Sequence, residues 1–173
     1  VLNENLQGKT LLELGTGSGV IAISIAQENR ECLIFATDIS IKSILVAKQN
    51  AEKFCCENII FLNHDWNNEW LFPQVDYLIS NPPYVDKEAT TGKEEGIWHE
   101  PEKALFSKDK GLSDLKLILS KGKNFLNENG KVYLEHAPDQ YEELNKFAME
   151  NGYLNFSNLN DLNGDKRVSI YQC

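Results

Sequence analysis

Apolar runs of strand length alternate with helical runs along most of this 173-residue chain, and that alternation restricts the fold more than any other feature. Strands are expected near 10–14, 33–38, 59–63, 75–80, 131–136, 153–159 and 167–172, and helices near 19–28, 40–55, 112–127 and 138–151. Alternation through the first five strands implies right-handed crossovers and a parallel sheet covered by helices on both faces. Asn163-Gly164, between the last two strands, is a hairpin signal, so one strand should run antiparallel to the rest. The chain is long enough for one sizeable core and too short for two ordinary domains. The expectation is a single α/β domain with a seven-stranded, mostly parallel sheet, whose ligands bind beyond the carboxyl ends of the strands.

Four motifs fall at those ends. The first is Leu12-Glu13-Leu14-Gly15-Thr16-Gly17-Ser18-Gly19-Val20-Ile21, a strand breaking into a glycine loop and then a helix. Glycines let backbone approach a ligand that side chains would block. A dinucleotide fold wants G-x-G-x-x-G, whereas this loop alternates its glycines and carries an acid two residues before the first, a form that suits S-adenosylmethionine better than NAD. A glycine-rich turn is weak evidence alone. The second is Asp38, nineteen residues past Gly19 at the next strand end, placed to accept both ribose hydroxyls of a nucleoside. It also reads as a helix N-cap, a role Ser40 can fill as well. Third, His64-Asp65-Trp66 sets an acceptor for an adenine amine beside a large aromatic, although Trp66 taken alone reads as core.

The fourth motif, Asn81-Pro82-Pro83-Tyr84, follows the apolar run Asp76-Tyr77-Leu78-Ile79-Ser80 and suits a planar NH2 group. The Asn81 side-chain carbonyl and the Pro82 backbone carbonyl can both accept from one amide or aromatic amine. Two prolines lack backbone donors and stiffen the loop, and Tyr84 offers a flat stacking face. The alternative is an ordinary proline turn after a strand.

The order Glu13-x-Gly15-x-Gly17-x-Gly19, Asp38, Asp65-Trp66, Asn81-Pro82-Pro83-Tyr84 resembles the class I methyltransferases, and within them the release factor glutamine methyltransferases. Glu100-Pro101-x-x-Ala104-Leu105, Leu134-Glu135-His136 and Asp165-Lys166-Arg167-Val168 extend the resemblance over essentially the whole chain. It departs from the family at Trp98 and His99, where a basic residue and an aromatic are usual, and at Phe106-Ser107-Lys108, where paired glycines are. The resemblance implies a Rossmann-like class I fold and S-adenosyl-L-methionine as cofactor, with S-adenosyl-L-homocysteine as product. It implies methyl transfer to the side-chain amide of the glutamine in the Gly-Gly-Gln motif of peptide chain release factors, which are then the protein partners. Glu13, Gly15, Thr16, Gly17, Ser18, Gly19, Asp38, Asp65, Trp66 and Asn81 are the implied cofactor residues. Asn81, Pro82, Pro83, Tyr84 and Glu100 would meet substrate, with Asn81, Pro82 and Tyr84 catalytic. The family carries a small N-terminal helical domain, whereas Val1-Leu2-Asn3 leads almost directly into the first strand, so this looks like the catalytic domain alone.

Other readings remain open: amine methylation of adenine or cytosine in DNA or RNA, since such a loop can hold a flipped base, methylation of another protein glutamine, and a non-catalytic cofactor-binding module. A net charge of -9 and a pI near 4.8 speak against a broad nucleic-acid footprint. Lys108, Lys110, Lys121 and Lys123 form either a basic patch or a solvated face. No apolar run approaches the length of a membrane span. Cys32, Cys55, Cys56 and Cys173 have no metal spacing and read as reduced thiols of a cytoplasmic protein. His64, His99 and His136 lack ligand spacing too, and only His136 sits where a pocket role is open to it. The long aperiodic stretch between Tyr84 and Gly111 reads as a lid or binding segment.

Overall fold

The computed structural model describes Val1, residues 4–86, Phe106, Ser107, Asp109 and residues 111–173. In chain order these form β1 (Thr10–Leu14), α1 (Val20–Glu28), β2 (Leu33–Asp38), α2 (Ile41–Lys53), β3 (Ile59–Asn63), β4 (Val75–Ser80), β5 (Val85–Asp86), β6 (Phe106–Ser107), α3 (Ser113–Gly122), β7 (Leu126–Glu135), α4 (Tyr141–Glu150), β8 (Asn155–Asn160) and β9 (Lys166–Gln172). Seven strands make one sheet in the order β3-β2-β1-β4-β7-β9-β8, and β5 and β6 make a separate two-residue parallel ladder. β9 alone runs antiparallel to its neighbours β7 and β8. The chain reverses its lateral direction between β1 and β4, whose carboxyl ends therefore lie side by side.

Strand periodicity divides the core in two. Leu12 and Leu14 of β1, Leu78 of β4, and Val132 and Leu134 of β7 face Leu115, Ile118 and Leu119 of α3 and Leu144 and Ala148 of α4. Their alternates Leu11, Tyr77, Ile79 and Tyr133 face Ala22, Ile23, Ile25 and Ala26 of α1 and Ala51 of α2. The central strands are buried on both faces, as a helix-covered parallel sheet requires.

Helix and strand positions agree with the sequence expectation, and the differences are local. The helix expected over 112–127 ends at Gly122, and a 3₁₀ turn at Lys123–Phe125 leads into β7. β7 starts at Leu126, five residues before the strand expected near 131–136, because Leu126 already pairs with Val75 before an irregularity near Asn129, whose φ is 63°, shifts the register to Tyr77 and Lys131. Pro138 opens a 3₁₀ turn, and α4 proper begins at Tyr141. At the β8–β9 turn, Asp161 Oδ1 accepts from the Asn163 and Asp165 amides, with Gly164 at φ 90°. Among the described residues, no helix is long and apolar enough to cross a membrane.

Leu134 is fully buried in a central strand. Leu134→Ala is expected to lower stability by about 2–5 kcal/mol, through lost burial and the cavity left behind. Urea unfolding followed by circular dichroism checks this, and an unchanged midpoint would contradict it.

Candidate active site

The seam between β1 and β4 builds the site. Leu14 pairs with Ser80 at the last register position, and the Ser80 hydroxyl donates to the Leu14 carbonyl at 2.8 Å. The glycine loop leaves one of these strands and the Asn81-Pro82-Pro83-Tyr84 loop leaves the other. A methyl group added at Gly15 would lie 3.2 Å from Trp66 Cζ3 and 3.9 Å from the Asn81 carbonyl, so three of the four motifs meet there. Gly15 has φ 76°, a backbone that L side chains rarely adopt.

The loop is held from below. The Gly15 and Thr16 amides both donate to the Thr37 carbonyl, at 2.9 and 2.8 Å, and the Gly19 amide donates to the Thr16 carbonyl at 2.9 Å. The Gly17 amide donates to Asp38 Oδ2 at 2.9 Å, and the Ser40 amide donates to Asp38 Oδ1 at 2.8 Å. Asp38 thus ties the glycine loop to the start of α2, while Ser40 supplies the helix cap by accepting from the Ser43 amide. Ser18 is exposed, and its carbonyl accepts from Asn50 Nδ2 at 2.9 Å.

Glu13 lies beneath the loop, 1% exposed, and accepts from the Thr16 hydroxyl at 2.7 Å. Burial pushes its carboxyl up to about 7, partly offset by bonds from Thr16 and the Ala22 amide, with the nearby Asp38 charge pushing the same way as burial.

Asp65 Oδ1 accepts from the backbone and side-chain nitrogens of Asn67, at 2.9 and 2.8 Å, and so shapes the turn that carries Trp66. The Trp66 indole donates to Asp114 Oδ1 at 3.1 Å, and its ring packs on the α3–α4 side of the core. Lys121 Nζ donates to the carbonyls of Trp66, Asn67 and Asn68 at 2.9, 3.0 and 2.9 Å. Lys123 Nζ likewise donates to the carbonyls of Asn151 and Gly152, both at 2.8 Å. The two lysines are structural clamps on carbonyl turns, a role their surface-like spacing did not announce. Lys108 and Lys110 lie outside the described residues, as do Trp98, His99, Glu100 and the Glu-Pro-x-x-Ala-Leu segment.

In the Asn81 loop, Pro82 and Pro83 are buried and Tyr84 is half-buried. The Tyr84 hydroxyl donates to Glu135 Oε1 at 2.9 Å, and its carbonyl accepts from Gln140 Nε2 at 2.9 Å. Burial and the Glu135 carboxylate push the phenol up to about 12, so it remains a donor at neutral pH. Asn81 is exposed, and its side chain makes no hydrogen bond among the described residues. His136 is fully buried, with Nδ1 2.7 Å from the Ala137 carbonyl and Nε2 2.8 Å from Ser169 Oγ. Burial lowers its basicity, which fits a neutral ring donating to Ala137 and accepting from Ser169. All four cysteines are unpaired, and no cluster of metal-ligating side chains occurs among the described residues.

A sheet of this order, with a glycine loop and an Asn-Pro-Pro-Tyr loop at its reversal point, is the architecture of the class I methyltransferases. The chain belongs to the methyltransferase small domain family, whose family model matches residues 1–110. It is 37% identical over 163 residues to a bifunctional methyltransferase from Rickettsia felis, covering 93% of this chain and 31% of that protein. It is 34% identical over 172 residues to the release factor glutamine methyltransferase of Francisella tularensis, covering 99% of this chain and 60% of that one. The corresponding Escherichia coli protein is 31% identical over 160 residues, covering 92% and 58%. The chain therefore spans between about a third and about 60% of the curated relatives it matches. In fold it is similar to a methyltransferase from Pyrococcus furiosus, with a TM-score of 0.71, 20% identity, and coverage of 97% of this chain and 77% of that one. It is also similar to a magnesium protoporphyrin IX methyltransferase from Synechocystis solved with bound SAM, with a TM-score of 0.66, 18% identity, and coverage of 97% and 71%.

Glu13 gives this site a pH signature. Its folded pKa of about 7 lies above the ordinary 4.5, so the folded state binds more protons between those values and stability falls as pH rises through them. Glu13→Gln removes that dependence. Denaturant titrations should show wild type losing stability relative to the variant by up to about 1.4 kcal/mol per pH unit in this window. Parallel pH curves would reject the assignment.

Proposed function

We infer that this chain transfers a methyl group from S-adenosylmethionine to the side-chain amide nitrogen of a glutamine, with the Gly-Gly-Gln glutamine of peptide chain release factors as its substrate. The carrying observation is Asn81: an exposed residue whose carboxamide has no partner among the described residues, on a loop whose neighbours are buried or bonded and whose backbone carbonyl at Asn81 lies near Gly15. The names of the relatives support the substrate class.

The residues fit the donor on chemical grounds. A dinucleotide's pyrophosphate needs unengaged loop amides, whereas the amides of Gly15, Thr16, Gly17 and Gly19 are all bonded within the protein. Two acids, Asp38 and the buried Glu13, stand under the loop and would oppose a phosphate. A cradle of that kind suits a nucleoside bearing an amino acid and a cationic sulfur. Asp38 would hold the ribose, Asp65 and Trp66 the adenine side, and Gly15, Gly17 and Asn81 the reactive end. Bound there, S-adenosylmethionine supplies an electrophilic methyl group.

Asn81 and the Pro82 carbonyl accept the two amide hydrogens, which fixes the carboxamide plane so that the nitrogen lone pair, perpendicular to it, faces the donor. Positioning of this kind can supply on the order of 7 kcal/mol or more in favourable cases. The same acceptors stabilise positive charge developing on nitrogen. An N-methylated amide cation is acidic enough to lose its proton to solvent. A general base is then unnecessary, in keeping with a His136 whose ring nitrogens are both engaged.

Labelled S-adenosylmethionine incubated with release factor, with its glutamine-substituted variant and with DNA tests the reading directly. Label is expected only in the unsubstituted factor, and transfer to DNA would favour a nucleic-acid amine methyltransferase instead. Asn81→Ala is expected to abolish transfer with donor affinity largely intact, and retained turnover would remove Asn81 from the chemistry. Asp38→Ala is expected to weaken donor binding, by loss of the ribose contact and of the Gly17 and Ser40 tethers. Calorimetry showing an unchanged Kd would reject that role.

A further inference from the structure

The Asn81 loop is anchored at both ends. Upstream, the Ser80 hydroxyl is bonded to Leu14 at 2.8 Å. Downstream, Tyr84 is held twice, its hydroxyl by Glu135 and its carbonyl by Gln140. Between the anchors, Pro82 and Pro83 have φ fixed by their rings, and ψ of Asn81 and Pro82 is restricted because each precedes a proline. A segment with so few soft dihedrals behaves as a strut, and moving either end moves the acceptors on it.

The downstream bracket is itself well supported. Glu135 closes β7, next to His136, whose amide donates to the Arg167 carbonyl at 3.0 Å. The Arg167 guanidinium holds Asp161 Oδ2 at 3.3 Å, in the β8–β9 turn. Gln140 is 5% exposed, and its Oε1 accepts from the Ala137 amide at 2.9 Å. Gly111, at φ 81°, leaves room for this contact, since any side chain there would run into the Tyr84 carbonyl.

We propose that Glu135 and Gln140 are positioning residues for methyl transfer: by fixing Tyr84 at both ends they hold the strut, and so set where Asn81 and the Pro82 carbonyl meet the substrate amide. The proposal rests on the function inferred above. It makes the Tyr84 hydroxyl an anchor into the protein, with the ring left as the part that can meet substrate.

The test uses the 173-residue chain with Tyr84→Phe, Glu135→Ala, Glu135→Gln and the double variant Tyr84→Phe/Glu135→Ala. Tyr84→Phe and Glu135→Ala should each lower kcat about tenfold, equivalent to about 1.4 kcal/mol, with the Kd for S-adenosylmethionine unchanged. Glu135→Gln keeps an acceptor for the phenol and should restore most of the loss. The double variant should lose no more than the worse single one, because both remove the same bond. A hundredfold loss in the double variant, or full kcat in Tyr84→Phe, would overturn the proposal. A substrate-free readout separates this from the functional reading: 15N relaxation of the Asn81 backbone amide should show increased motion in Glu135→Ala and wild-type behaviour in Glu135→Gln. An equally rigid amide in Glu135→Ala overturns the bracket whatever the transfer assay gives. Absence of transfer by wild type overturns the substrate assignment, while a loosened Asn81 amide would still support the bracket.

Discussion

The parallel seam between β1 and β4 is the constraint from which the site follows. At Leu14 and Ser80 the two strands end level, joined by a side-chain bond from one to the carbonyl of the other. Because the chain winds outward in opposite directions from this seam, no crossover helix among the described residues covers the gap above it. The glycine loop and the Asn-Pro-Pro-Tyr loop are the only described segments that leave the sheet at that gap. Their proximity is thus a result of topology, and the side chains refine what the strand order has already brought together.

Much of this was legible in the residues. Alternation of β and α, the Asn163-Gly164 turn and the glycine loop led to the observed sheet with its one antiparallel strand, because each is a local signal acting in the direction of the global fold. The boundary of β7 was not legible: Asn127-Glu128-Asn129-Gly130 has the composition of a turn, yet Leu126 pairs with Val75 before the irregularity. Trp66 was open to two readings, and the structure sets its ring against the core and its edge against Gly15. Asp38 was open to a helix-cap reading as well, and the structure gives the cap to Ser40 while the Asp38 carboxylate accepts from two backbone amides.

What the sequence hid were long-range partners of ordinary residues. Lys121 and Lys123 look like a solvated face because their spacing carries no sign of the carbonyls they cap from 28 to 55 residues away. Glu135, Gln140 and Arg167 belong to segments noticed, if at all, for likeness to a family, and only packing shows that they converge on the corner that holds Tyr84. Such roles depend on which strands become neighbours, and that information is distributed over the whole chain.

The closed hydrogen bonding of the glycine loop has a thermodynamic consequence. Its amides at Gly15, Thr16, Gly17 and Gly19 are bonded to Thr37, Asp38 and Thr16 within the protein, so the loop is shaped before any small molecule arrives. Association then has little chain ordering to offset, and its heat-capacity change should reflect surface removed from water at the ligand itself. On the function proposed above, the donor and its demethylated product would meet the same pre-set loop, and discrimination between them would fall to the few groups that face the sulfur.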